Sequence, residues 1–155
     1  MPARIEAICT SAEKGVIKTP APRAELVPAH GIRGDAHAGN WHRQISLLAT
    51  ESIARVRRIL PDLADGAFAE NIVTSGIELK TLPVGTRLRL GSTLVEVTQI
   101  GKECHNACAI KEATGDCVMP REGIFCKVIK GGTIHPGDAV QALEIDLPVF
   151  GSEQG

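Results

Sequence analysis

Aromatic side chains are scarce in this chain, with three Phe, one Trp and no Tyr among 155 residues. Proteins that hold single-stranded nucleic acid stack successive bases on successive aromatic rings, so a platform of that kind is excluded. A charge imbalance is also missing. A net charge of −1 gives no electrostatic footing for nucleic acid or for an anionic membrane surface. No apolar run approaches the roughly 18 residues that span a bilayer. The N-terminal stretch MPARIEAICTSAEKG carries an early acid, Glu6, and lacks the apolar segment of a secretory signal. A cytoplasmic protein is expected, with neither nucleic acid nor a membrane as partner. Neither GxGxxG nor GKS/T occurs, so the Rossmann and P-loop phosphate fingerprints are absent. Five cysteines, an odd number, argue for reduced thiols over a complete disulfide framework.

A chain of this length buries a core of ordinary size, and 43% hydrophobic against 23% charged residues is a globular balance. One domain over residues 1–145 is expected, with a fraying tail at 146–155. Arg4–Thr10 reads as a strand that buries Cys9 as a small hydrophobe. Ser11–Pro28, with Gly15, Pro20, Pro22 and Pro28, reads as irregular or edge structure. Arg43–Leu48 is a strand. Thr50 then caps a helix over Glu51–Leu60, with Ile53, Val56 and Leu60 on one face and Pro61 as the stop. Arg87–Leu90 alternates, Gly91-Ser92 turns, and Leu94–Ile100 returns, which is the strongest hairpin signal in the chain. Ile124–Lys130 and Ala139–Ile145 supply further strands, and a short helical turn is expected near Ala109–Ala113. Many short strands, frequent glycine turns and few helices predict a mainly β fold, closed or strongly curved into a β-barrel.

Three segments carry chemistry. His30–His42 packs three histidines, three glycines, Asp35 and the sole Trp into thirteen positions. Asp35 and His37, two apart, share a side of an extended segment and suit a general base, a metal pair or an anion contact; they equally suit a polar turn whose histidines satisfy backbone groups. Glu70-Asn71 precedes the β-branched pair Ile72-Val73 and reads either as ligand-orienting or as an Asx-type turn. The stretch Thr98–Cys126 holds four of the five cysteines: Cys104, Cys108, Cys117 and Cys126. Only Cys104 and Cys108 have the spacing of a zinc pair. Cys126 lies in a strand pattern beside Ile124 and Val128 and reads as a core thiol. Cys104 ends a strand, adjoins His105, and has Lys102 and Arg121 as candidate positive neighbours; such charge lowers a thiol pKa and favours nucleophilic attack or soft-metal ligation.

An ordered set of segments makes the chain resemble the MOSC family, named for the C-terminal domain of molybdenum cofactor sulfurase. They are Glu13-Lys-Gly15, Gly34-Asp-Ala-His-Ala-Gly39, Trp41–Leu48, Ala69-Glu-Asn-Ile72, Leu82-Pro-Val-Gly85, Thr98–Cys104, Met119–Phe125 and the pairs Gly131-Gly132 and Gly137-Asp138. The chain is similar to the short stand-alone bacterial members. This resemblance implies a fold of the pyruvate-kinase-barrel type and an association with the molybdenum cofactor, molybdopterin. It also implies a cysteine that carries sulfur or ligates molybdenum, at Cys104 with Cys108 as second choice. On that basis Arg33 or Arg43, with backbone amides from Gly34 to Gly39, meets the cofactor phosphate, and Asp35, His37, Glu70 and Asn71 position the pterin or the reactive centre. There is no lysine-bearing PLP motif, so PLP would act only on a separate cysteine desulfurase. That desulfurase or a recipient molybdoenzyme is the expected protein partner. The alternatives are a molybdenum-dependent reductase of N-hydroxylated compounds fed by external donors, and a non-catalytic zinc or redox-sensing module.

Overall fold

The computed structural model describes residues 2–14, 16–101 and 122–143. Cys104, Cys108, Cys117, Lys102, Arg121, the turn expected near Ala109–Ala113 and the tail at 146–155 lie outside the described residues. The described residues form eleven strands and one α-helix, in this order: β1 (Arg4–Thr10), β2 (Thr19–Ala21), β3 (Ala24–Val27), β4 (Gly31–Ile32), β5 (Ile45–Ala49), α1 (Thr50–Arg57), β6 (Ile72–Ser75), β7 (Arg87–Leu90), β8 (Thr93–Ile100), β9 (Ile124–Lys130), β10 (Gly132–Ile134) and β11 (Val140–Leu143). A single 3₁₀ turn covers Leu79–Thr81.

Eight strands form one sheet in the order β11-β7-β8-β9-β5-β6-β1-β2, and β10-β3-β4 form a second. The pairings are antiparallel except β5 with β6, which run parallel because α1 carries the chain back between them. The expected closed or strongly curved barrel is therefore corrected: both sheets are open and the larger one is mixed. Its ends are two short strands. β2 has only three residues, and its Pro20 has no N–H to extend a ladder. β11 has four and pairs only with β7. One isolated bridge, Arg4 to Ala139, brings the start of β1 beside the approach to β11, with the Ile5 amide donating to the Asp138 carbonyl at 2.8 Å and the Val140 amide to the Ala3 carbonyl at 3.0 Å, but β1 and β11 are not paired strands of the sheet. Short strands and glycine turns are common to open sheets and barrels. Their closure depends on long-range pairing that periodicity does not report.

Alternation in the central strands builds two cores. Ile8, Leu47, Ile72 and Ile124 face one side, with Leu26 and Ile32 of the small sheet in the same cluster. Their neighbours Cys9, Leu48, Val73 and Phe125 face the other, where Ile53 and Val56 of α1 cover them. Cys9 and Cys126 are fully buried, as their strand settings predict. Burial, with Glu70 and Asp65 nearby, pushes the Cys9 thiol up to about 12, and burial raises Cys126 as well. Both are inert packing groups at neutral pH.

The helix departs from its sequence reading in two ways. It ends at Arg57, and its cap is Ala49, with no side-chain cap bond. Thr50 is thus the first helical residue. Arg57 turns to the following loop, bonding the Leu63 carbonyl at 2.8 Å and Asp65 at 2.9 Å. No helix among the described residues is long and apolar enough to cross a membrane.

Candidate functional site

A cavity of about 230 Å³ opens at the helix-covered side of the large sheet. Its floor comes from strand ends: Ser46 at the start of β5, Asn71 just before β6, and Phe125 of β9, which pairs with Ser46 across the ladder. Its walls come from three loops. The β1–β2 connection gives Lys14, the β4–β5 connection gives His37, Trp41 and Arg43, and the loop before β6 gives Phe68 and Ala69. Among the described residues, two permanent cations, one histidine and three aromatic rings thus line the space, with no carboxylate among them.

Arg43 is held flat. Its guanidinium carbon lies 4.9 Å from the Trp41 ring centre and 5.6 Å from that of Phe125. Such contacts fix a cation without neutralising it. Its Nε is buried with no hydrogen-bond partner among the described residues. A buried guanidinium donor left unpaired is costly unless something else accepts from it. The Trp41 ring is pinned in turn, its Nε1 donating to the His37 carbonyl at 2.9 Å.

Asp35 organises the walls without lining the cavity. Its side chain and that of Lys18 are both 0% exposed and form an ion pair at 2.9 Å. Asp35 Oδ1 also accepts from the Ser11 amide at 3.1 Å, and Oδ2 accepts from the His37 amide at 3.1 Å. His37 Nδ1 stands 3.9 Å from Oδ2. Lys18 Nζ further donates to Ser11 Oγ at 3.1 Å, and its backbone amide donates to the Gly66 carbonyl at 3.0 Å. One lysine therefore ties together the three loops that supply Lys14, His37 and Phe68. The contact with Gly66 is close: a Cβ there would lie 2.0 Å from the Lys18 carbonyl oxygen, and its φ of +94° also demands glycine.

Burial pushes the Asp35 carboxyl up, but the Lys18 ammonium and the two amides outweigh it and hold Asp35 below its ordinary value of 3.8. A depressed folded pKa contributes stability that is present above 3.8 and lost as pH falls through the folded value. The acid limb of unfolding free energy against pH should accordingly be shallower in Asp35→Asn than in the wild type. Denaturant titrations at several pH values below 5 measure it; limbs of equal slope would exclude the linkage.

Glu70 is fully buried and serves the wall from behind. Its carboxylate accepts from the Gly66 amide at 2.8 Å and the Phe68 amide at 2.9 Å, shaping the loop that presents Phe68. Burial raises its pKa, the amides offset part of that, and Asp65 adds to the rise. Asn71 bridges strands: its Nδ2 donates to the Cys9 carbonyl at 3.1 Å, and its Oδ1 accepts from the Ser46 amide at 3.0 Å.

The structure thus gathers His37, Arg43 and Asn71 at the cavity, with Asp35 and Glu70 supporting its walls. It does not bring Arg33 there. Arg33 lies in a separate surface depression with Arg23 and Thr133 and is engaged by Glu25 at 2.8 and 3.2 Å. Gly34, at φ +84°, has open space on the side a Cβ would occupy, and Gly39 sits against Trp41. Lys14, Lys18, Ser46, Phe68 and Phe125 escaped the sequence reading as site residues. Lys14 and Phe125 stood inside segments singled out there; Lys18 carried no local signal.

Both flanks of the 102–121 segment are anchored. The Gly101 amide donates to the Gly123 carbonyl at 2.6 Å. Glu122 is buried, accepts from Ser52 Oγ of α1 at 2.5 Å, and pairs with Arg55. Thr98 Oγ1 donates to the carbonyl of the cavity residue Phe125 at 3.1 Å. Among the described residues, no group of three or more His, Cys, Asp and Glu side chains converges to hold a metal ion.

The described residues form two packed β-sheets and one α-helix, with a basic, aromatic-walled cavity at the strand ends. A family model described as MOSC domain matches residues 34–141, and the chain belongs to that family. YflK of Bacillus subtilis (strain 168), itself uncharacterised, is 24% identical over 142 residues, covering 84% of this chain and 64% of YflK. This chain therefore spans less than two thirds of that relative's length. The fold is shared with YuaD from Bacillus subtilis, with a TM-score of 0.74 at 19% identity, over 90% of this chain and 94% of that one. It is shared also with YiiM from Geobacillus stearothermophilus, at 0.68 and 19%, over 92% and 76%.

Proposed function

We propose that this protein binds the molybdenum cofactor in the cavity between Arg43 and Asn71, and that Cys104 carries sulfur for it or ligates its molybdenum. The observation that supports this most is the lining itself. Lys14, His37 and Arg43, whose Nε is unpaired among the described residues, line a space walled by Trp41, Phe68 and Phe125, and no acid is among the described lining residues. A flat heterocycle ending in a phosphate is served by that combination of apolar walls and basic side chains. The residues present therefore fit the cofactor that the family association suggests. When bound, the cofactor supplies a redox-active metal that accepts a sulfur ligand.

The chain's own residues would do the rest. Arg43, held in place by Trp41 and Phe125, and Lys14 would take the phosphate oxygens. His37, whose main chain is fixed by Asp35, would donate to a polar edge of the ligand. Phe68, presented by Glu70, would keep water off one face. Cys104 follows Gly101 by three residues in sequence, and Gly101 is one of the two anchored flanks.

Cys104→Ser tests the sulfur role. Protein purified from cells that make the cofactor would be examined for bound molybdenum by elemental analysis and for a persulfide by intact mass spectrometry. The variant should lose the persulfide or the metal while its circular dichroism and unfolding midpoint stay unchanged. Cys108→Ser should retain the loading. Equal loading of Cys104→Ser and wild type would remove Cys104 from the mechanism, and stoichiometric zinc without molybdenum would point to a metal module instead.

A further inference from the structure

Every other buried carboxylate among the described residues has a cation beside it: Asp35 has Lys18, and Glu122 has Arg55. Glu70 is met instead by backbone amides, those of Gly66 and Phe68. The turn to which these amides belong is wound against its own preference. Gly66 stands at φ +94° and Ala69 at φ +62°, a left-handed setting that disfavours alanine. Phe68 and Ala69 both line the cavity. We propose that Glu70 is a positioning residue that works as a proton latch on this wall. As a carboxylate it holds the turn in the shape that presents Phe68 and Ala69 to the ligand. On taking a proton it releases the turn, and the ligand is held less tightly in acid. The proposal rests on the ligand reading above and supplies a regulation for the same site.

Two short bonds make the latch sensitive to one proton. Glu70 Oε2 accepts from the Gly66 amide at 2.8 Å and Oε1 from the Phe68 amide at 2.9 Å, so each oxygen already faces an N–H. An ionised carboxylate only accepts, which suits that setting. A protonated carboxyl carries a hydrogen of its own, and here it meets a donor where it needs an acceptor. One of the two amides is then poorly paired in the interior. The turn has three other ties. The Ala69 amide closes on the Gly66 carbonyl at 2.9 Å, the Lys18 amide reaches the same carbonyl at 3.0 Å, and Ser46 Oγ donates to the Ala69 carbonyl at 3.4 Å. None of the three touches the Phe68 amide. Among the described residues, Glu70 is thus what holds the main chain of the residue whose ring forms the wall.

Burial raises the Glu70 carboxyl above its ordinary 4.5, the amides offset part of the rise, and Asp65 adds to it. Asp65 belongs to the preceding turn and is itself paired with Arg57 of α1 at 2.9 Å. From β1, Cys9 faces Glu70 as a neutral thiol, since burial pushes it up to about 12. From the β1–β2 connection comes Lys18, whose ammonium is committed to Asp35 at 2.9 Å. From β5 comes the uncharged Ser46. The ligand selects the ionised latch, so affinity is full above the folded pKa of Glu70 and falls as pH drops through it. Asp35 is buried, yet Lys18 and two amides hold it below 3.8, so it stays ionised throughout that change.

Glu70→Gln places an amide where the proton would sit: its oxygen takes one of the two N–H groups and its own NH2 opposes the other. The variant therefore imitates the protonated latch at every pH. The whole chain would be titrated by calorimetry with the pterin monophosphate at steps from about pH 8 down to about pH 4.5. Relative to the variant, wild-type affinity should fall by at least about fivefold over that range, the low end of ordinary coupling between two sites. The variant should bind weakly at high pH already. The ionisation of the ligand and of His37 acts on both proteins alike and cancels. A second measurement needs no variant. In the free wild type, the Gly66 and Phe68 amide resonances should titrate together with one midpoint above 4.5, the ordinary value. The emission of Trp41, the chain's single tryptophan, which lines the same cavity as Phe68, should change at that midpoint. Amides that do not titrate together there, emission that does not follow them, or a folded Glu70→Gln that binds as wild type at every pH overturns the proposal. If the pterin monophosphate binds neither protein at any pH, the cofactor reading fails, while the amides and the emission still decide for or against the latch.

Discussion

Replacing Lys18 by Met is expected to lower the stability of the fold by about 3–5 kcal/mol, the usual cost of removing one partner from a buried ion pair. The reason lies in what remains. Asp35 would keep its place at 0% side-chain exposure with only the Ser11 and His37 amides against its charge. It would then titrate at a higher pH than in the wild type, because the ammonium that holds it down is gone. Removing both charges together, as in Lys18→Met with Asp35→Leu, should cost much less than the sum of the single changes, since no orphan charge is left in the interior. Urea unfolding of the two single variants and the double variant closes that cycle. A Lys18→Met loss within about 0.5 kcal/mol, the scale of ordinary surface substitutions, would show that the pair does not hold the three loops.

The second large effect concerns binding. Arg43→Ala should weaken the pterin monophosphate about a hundredfold. Charge-assisted hydrogen bonds are each worth about 1.5–3 kcal/mol, so the loss of even one well-made contact reaches that scale. Stability should change little by comparison, because the buried Nε has no internal partner to lose. Arg43→Lys should recover only part of the affinity: a lysine keeps the charge but has no planar fork to lie between Trp41 and Phe125. Calorimetry with the pterin monophosphate, set beside inorganic phosphate as a minimal anion, separates the charge from the ring contacts. Unchanged affinity in Arg43→Ala would remove it from the site.

How far these features were legible in the sequence differs by element. The hairpin of β7 and β8 was plain, because Arg87-Leu-Arg-Leu90 alternates and Gly91-Ser92 turns the chain; the observed register pairs Leu90 with Thr93 across that turn. The burial of Cys9 and Cys126 followed from their strand settings. The proline-rich stretch Ser11–Pro28, read as irregular or edge structure, holds β2, the edge strand of the large sheet, and β3 of the small one. β2 forms on the nearby end of β1, whereas β3 forms on β10, a partner far away in sequence. The open ends of the large sheet, set against the expected barrel, belong to the same kind of information. Thr50 looked like a cap, yet Ala49 occupies that place as the last residue of β5.

At the site, residue type was a better guide than residue role. Asp35 and His37 stood out by chemistry and spacing, and they do meet. The partner that fixes Asp35 is a lysine seventeen positions earlier in a loop, and a lone lysine between Ile17 and Thr19 predicts nothing of the kind. Arg33 and Arg43 were indistinguishable as anion binders. The fold separates them by giving Arg33 a neighbouring carboxylate, Glu25, and Arg43 two aromatic rings.

The most direct measurement is the pterin and molybdenum content of the whole chain purified from cells that make the cofactor, for wild type and Arg43→Ala side by side. The wild type should carry close to one pterin per chain, seen as the fluorescent oxidation product after release, and the variant should carry almost none while remaining folded. A wild type free of pterin, or a variant that retains it in full, would contradict the assignment of this cavity.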